Sequence, residues 1–125
     1  MSMVIGFVIA AALGAFLRWG LYLVPHPWES HTHPWATFVV NFLGSMLMGF
    51  LFLYLEKFPP QVKAWICVAF LGAFTTYSSF SLDMVRLLDE GSFKLAVLYF
   101  LCTNLFCISG CYIGWFFAKN LVTTA

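Results

Sequence analysis

The chain has 125 residues, of which 62% are hydrophobic and only 9% charged. A water-soluble domain carries about 25% charged residues, so this composition excludes one and points to an integral membrane protein. A net charge of +1 also excludes the basic patch that attracts nucleic acid.

Met3 to Val24 is apolar apart from Arg18 and is long enough to span a bilayer. No basic residue precedes this run and no convincing cleavage site follows it, so a retained membrane helix is expected rather than a signal peptide. Gly6, Ala10 and Gly14 recur every four residues, the small-xxx-small pattern that lets helices approach closely. Arg18 continues that spacing near the helix end. It can snorkel to the interface, or it can be a buried guanidinium that holds a helix end or sets the potential of a pore vestibule.

Pro25 to Trp35 is a short polar link in which Trp28 and Trp35 suit a membrane interface. His26, His31 and His33 raise the question of a metal site. No cysteine accompanies them, and solvated loop histidines are expected. Ala36 to Leu55 is the second span. Asn41 is its one strongly polar residue, and an amide in hydrocarbon must face other helices or a water-filled path. Gly44, Ser45 and Gly49 are small enough for close packing. Glu56, Lys57, Pro59, Pro60, Gln61 and Lys63 make the turn that follows.

The third span, Ala64 to Leu82, holds the least ordinary stretch, Gly72-Ala73-Phe74-Thr75-Thr76-Tyr77-Ser78-Ser79-Phe80-Ser81. Thr75, Thr76, Ser78, Ser79 and Ser81 bring hydroxyls, and Tyr77 brings another. Hydroxyl side chains compete for backbone hydrogen bonds and so bend or open a helix. Non-helical backbone at membrane depth survives only where protein or a water-lined cavity covers it. A helix broken near the midplane is predicted, and such breaks bind ions. A Ser/Thr-rich helix–helix contact is the other use these residues fit. Gly72, just before the break, can adopt backbone angles closed to other residues. Asp83 to Lys94 reads as an interfacial helix end and turn, with Gly91 as the helix stop. No carboxylate is then expected within a span.

Phe93 to Phe117 is the fourth span. Thr103, Cys107 and Cys111 share a face at four-residue spacing, with Asn104 one residue around from it. Cys67, Cys102, Cys107 and Cys111 all lie in apolar segments with no C-x-x-C pair, which is neither a disulfide framework nor a zinc signature. Four spans are expected to fill 1–125 as a single transmembrane domain (3–24, 36–55, 64–82 and 93–117) and leave no room for a separate soluble one. Both termini then lie on one side with Lys57, Lys63 and Lys119. Arg86 and Lys94 lie on the other, with Arg18 near them. The basic residues are split almost evenly, so the positive-inside bias that fixes orientation is close to absent. That balance permits insertion both ways and an antiparallel homodimer about an axis in the membrane plane.

Gly14-Ala15-Phe16-Leu17-Arg18, Val40-Asn41-Phe42-Leu43-Gly44-Ser45 and Gly72 through Ser81 together resemble the Fluc/CrcB family of fluoride channels, over essentially the whole chain. The family's third-span motif usually reads Thr-Thr-Phe-Ser-Thr-Phe-Ser. The resemblance implies an all-α integral membrane protein, four helices with the third broken, assembled as an antiparallel dual-topology homodimer with two fluoride pores. It implies a structural sodium ion at the dimer centre, held by the carbonyls of Gly72 and Thr75 of each subunit. It makes Asn41 the pore asparagine, Arg18 the vestibule arginine, and Tyr77 and Phe80 the paired pore rings. Ser78 and Ser81 are implied among the pore hydroxyls, and Thr103, Cys107 and Cys111 are candidates for a polar track on the fourth span. Tyr77 stands where phenylalanine is usual, and the track has thiols where the family often has hydroxyls.

Fluoride is small and strongly hydrated, so a pore must replace its water with donors while holding it weakly enough to let go. Amide and hydroxyl hydrogens are such donors, and aromatic ring edges carry the positive part of the quadrupole. The function implied is passive: fluoride leaves the bacterial cytoplasm through the inner membrane, relieving its toxicity. No enzyme constellation is present. The competing readings are a small dual-topology multidrug exporter, whose first-span glutamate has no counterpart in Met3 to Val24, and a membrane subunit that transports nothing.

Overall fold

The computed structural model describes residues 2–24 and 34–123. The histidines of the first link and Trp28 lie outside the described residues. Helix α1 is Ser2–Tyr22 and α2 is Pro34–Tyr54, which ends in a 3-10 turn at Leu55–Lys57. Helix α3 is assembled from a turn of α-helix at Pro60–Lys63, a π-helical stretch at Ala64–Phe70 and another α-turn at Leu71–Phe74. Thr75 and Thr76 are extended. Helix α4 resumes at Tyr77–Asp89, and α5 is Phe93–Thr123.

Four segments are long and apolar enough to cross a membrane: Ser2–Tyr22, Pro34–Lys57, Pro60–Asp89 and Phe93–Thr123. No strand occurs among the described residues. The protein is therefore an all-α membrane protein whose third span is broken. That span runs past Leu82 to Asp89, because the polarity that begins at Asp83 lowers hydropathy without interrupting helical hydrogen bonding. Asp83 is turned inward and Arg86 outward, so both fit one helix.

The helices pair by small residues, as expected where lipid removes the hydrophobic drive and only close packing remains. The largest interface joins α2 and α5. There a Cβ on Gly49 would collide with the Cys111 carbonyl, and one on Gly114 with the Met46 carbonyl. Helix α1 lies on α3. Gly6 faces the Trp65 ring and Gly14 faces the Phe70 carbonyl, and Trp65 Nε1 donates to the Met3 carbonyl at 3.0 Å. The four-residue stripe of α1 is thus its seam with α3. Large apolar side chains elsewhere on α1 and α5 point outward, as lipid-facing residues do.

Helix α4 ends in a Schellman motif. Ser92 N–H donates to the Leu87 carbonyl at 2.9 Å and Gly91 N–H to the Leu88 carbonyl at 3.0 Å, with Gly91 at φ 71°. A side chain there costs about 1–2 kcal/mol because Cβ crowds the following carbonyl. Gly91→Val is expected to lower the thermal unfolding midpoint in detergent, and Gly91→Asn to lower it less. Gly72, by contrast, has no positive φ. It sits in the last α-turn of α3 and a Cβ there would meet nothing within 4 Å, so the break does not depend on glycine's extra backbone freedom.

Candidate ion pathway

The break is a redirection of backbone donors. In an unbroken helix Thr76 N–H would bond the Gly72 carbonyl and Ser79 N–H the Thr75 carbonyl. Here Thr76 N–H goes to Asn41 Oδ1 at 2.7 Å, and Ser79 N–H goes to Thr76 Oγ1 at 3.1 Å. Asn41 completes the exchange by donating from Nδ2 to the Thr76 carbonyl at 2.9 Å. One side chain therefore pairs with both polar groups of an extended residue, as a neighbouring strand would. Thr76 is 6% exposed, and buried backbone groups need such partners. Its hydroxyl also caps α4 and bonds Ser78 Oγ and Ser79 Oγ at 3.1 and 3.0 Å.

Neighbouring helices are shaped to this break. One turn along α2 from Asn41, a Cβ on Gly44 would collide with the Thr75 methyl, so the Asn-x-x-Gly spacing places a clamp and a clearance on one face. On α1, Gly14 lets the helix touch the backbone of α3. One turn later Arg18 Nη1 donates to the Thr75 carbonyl at 3.2 Å. The Gly-x-x-x-Arg spacing is thus a close approach followed by a reach.

Beside the break lies a cavity of about 250 Å³. The α2 wall contributes Asn41 and Ser45, and the break and α4 contribute Thr75, Thr76, Tyr77 and Phe80. The α5 wall contributes Thr103, Asn104, Cys107 and Ile108. The structure so brings together Asn41, Tyr77, Phe80, Thr103 and Cys107 of the expected pore residues. The Tyr77 and Phe80 rings lie 5.5 Å apart at 43°. Phe80 is 4% exposed and packs on Tyr99, whereas Tyr77 is 75% exposed at the cavity's open side.

Three expected residues fall elsewhere. Ser78 is exposed and bonds Thr76. Ser81 Oγ donates to the Tyr77 carbonyl at 3.0 Å within its own helix. Cys111 is one turn beyond the cavity, its backbone against Gly49. Both serines make local bonds, one to the capping threonine and one back along its own helix, which sequence spacing does not separate from pore lining. Arg18 is bonded to the break and is not among the cavity's lining residues.

Sequence reasoning missed two features. Ser45 and Asn104 line the cavity, and their polarity and their spacing from Asn41 and Thr103 were the signal. Asp83 was expected at an interfacial helix end, yet it is 5% exposed inside α4 and accepts from Tyr99 Oη at 3.3 Å. Nearby, Tyr22 Oη and Thr37 Oγ1 are 2.8 Å apart, so polar groups of all four spans meet at this level. Tyr22 closes α1 and Thr37 lies in the first turn of α2, so Asp83 stands at the level of helix ends, as expected, but buried rather than facing outward.

The donor set suits a hard monovalent cation at the break. The carbonyls of Gly72 and Thr75 are the two whose helical donors are diverted to Asn41 and Thr76. Gly72 itself is exposed. Carbonyl oxygens without fixed charge are ligands for hard cations.

A family model described as CrcB-like protein, Camphor Resistance (CrcB) matches residues 5–115. The chain is similar to the protein named fluoride-specific ion channel FluC of Magnetococcus marinus, at 39% identity over 109 residues covering 85% of this chain and 89% of that one. It is similar to fluoride-specific ion channel FluC 1 of Bacillus cereus at 35% over 100 residues, 78% of this chain and 73% of the relative. The Coxiella burnetii protein named fluoride-specific ion channel FluC is 31% identical over 117 residues, covering 90% and 94%.

Proposed function

The chain belongs to the Fluc/CrcB family, and from that premise we propose that it is a fluoride-selective passive channel. The observation that carries this is the cavity beside the break, walled by the uncharged polar side chains of Asn41, Ser45, Thr103 and Asn104 and by the rings of Tyr77 and Phe80.

Asn41 and Asn104 each spend one Nδ2 hydrogen on a backbone carbonyl and keep a second. No lysine or arginine lines the cavity, so the anion is partly rehydrated by protein without being held by a full charge. The edges of Phe80 and Tyr77 add weak positive potential and a steric limit on larger anions.

An antiparallel homodimer with two pores fits the unfinished wall: Tyr77 lines the cavity yet is 75% exposed, and a second, inverted copy would complete the enclosure. A sodium ion on the Gly72 and Thr75 carbonyls of both copies would supply a fixed positive charge beside the pathway. Hydrogen fluoride that crosses the inner membrane dissociates in the less acidic cytoplasm. The channel lets the trapped anion leave down its gradient, which relieves toxicity.

Liposomes loaded with potassium fluoride and containing the purified protein test the function. Valinomycin is added to release the charge, with potassium chloride in parallel. Fast, ionophore-dependent fluoride efflux with chloride retained is expected. No efflux from correctly assembled dimers would overturn the assignment.

A further inference from the structure

Arg18 lies in the last turns of α1 and has no ion pair among the described residues. Its hydrogen bond goes to the Thr75 carbonyl, whose helical donor, the Ser79 N–H, is diverted to Thr76 Oγ1. The same oxygen is a ligand in the sodium reading above, on which this inference rests. A carbonyl has two lone pairs, so it can accept from Arg18 and face a cation at once. Two positive charges on one oxygen repel, at a range too short for bulk salt to screen fully.

We propose that Arg18 is a positioning residue that shares the Thr75 carbonyl with the cation of the break, and that its charge sets how tightly the cation is held. It has two opposed effects. Its N–H replaces the lost Ser79 donor and aims the oxygen, and its charge weakens the cation's hold on that oxygen. Gly14 makes this possible, since α1 must touch α3 for the side chain to arrive. The site is thereby ordered before the cation binds, and the cation remains exchangeable rather than locked.

The test uses full-length purified dimer in detergent. Its thermal unfolding midpoint is followed against sodium chloride, with N-methylglucamine chloride holding ionic strength constant. The unaltered protein is expected to show saturable stabilisation by sodium. Arg18→Gln keeps a donor and loses the charge, and should reach half-maximal stabilisation at about tenfold lower sodium, the scale of one nearby charge in a partly screened site. Arg18→Met loses both, so its sodium requirement should also fall while its sodium-free midpoint drops below that of Arg18→Gln. Arg18→Lys keeps the charge and should need about as much sodium as the unaltered protein.

A merely structural arginine would lower the unfolding midpoint in all variants without moving the sodium requirement. That outcome overturns the proposal and leaves the cation reading intact. Absence of any sodium effect on the unaltered protein overturns both, while fluoride efflux from the same preparation would still support the channel. Failure of both neutral variants to assemble in saturating sodium also overturns the proposal, since removing the charge should help there.

Discussion

Asn41→Ala is expected to slow fluoride efflux at least about a hundredfold, equivalent to a barrier increase of about 2.7 kcal/mol. It should also reduce stability by about 2–4 kcal/mol, because the buried N–H and carbonyl of Thr76 both lose their partner. The two consequences have one origin. Without the amide, Thr76 N–H has every reason to return to the Gly72 carbonyl, and the extended break closes toward helix. Asn41→Asp is expected to be at least as severe. A carboxylate still accepts from Thr76 N–H but sets an anionic oxygen against the Thr76 carbonyl in place of the Nδ2 donor, and it presents negative charge to the cavity. Efflux should be lost. Liposome efflux and thermal unfolding of the same preparations check both, and an Asn41→Ala protein with full efflux would remove the break from the pathway.

The second large effect is expected at a residue outside the cavity's lining. Gly14→Ala adds one methyl group, yet that carbon would occupy the space of the Phe70 carbonyl oxygen. Backbone cannot rotate away as a side chain can, so α1 must back off from α3. The cost is about 3 kcal/mol by the usual scale of overpacking. Arg18 would retreat with the helix and release the Thr75 carbonyl, so efflux should fall along with stability. Gly20→Ala is the control. A Cβ there meets nothing within 4 Å, and alanine's better helix propensity should leave the protein unchanged or more stable by less than about 1 kcal/mol. Equal losses in the two variants would show that the seam at Gly14 is not special.

Much of the fold was legible because it depends on composition over lengths near a bilayer's thickness. Four apolar runs gave four spans, and the hydroxyl cluster at Thr75–Ser81 marked the break. The glycine stripe of α1 was legible as a seam because only small residues leave room for backbone contact. Ends were less legible. Asp83 and Arg86 lower the hydropathy of α4 equally, but one is buried against Tyr99 and the other faces outward. Hydropathy averages over both faces and cannot separate them.

The site was legible as a set of residue types and only partly as an arrangement. Asn41, Tyr77, Phe80, Thr103 and Cys107 meet in one cavity, while Ser78 bonds the capping Thr76 hydroxyl and Ser81 the Tyr77 carbonyl. Hydroxyls at these spacings look the same whether they cap a helix or line a path. The choice depends on which N–H groups a neighbouring helix has already taken. Composition and patterning were enough for four membrane-long apolar runs, a hydroxyl cluster where the third was expected to break, and uncharged donors around that point. Tertiary structure alone decided that Asn41 pairs with the backbone of Thr76 and that Arg18 is spent on the Thr75 carbonyl. Those pairings join residues 35 and 57 positions apart. They exist only because Gly44 and Gly14 let three helix backbones come together at one level.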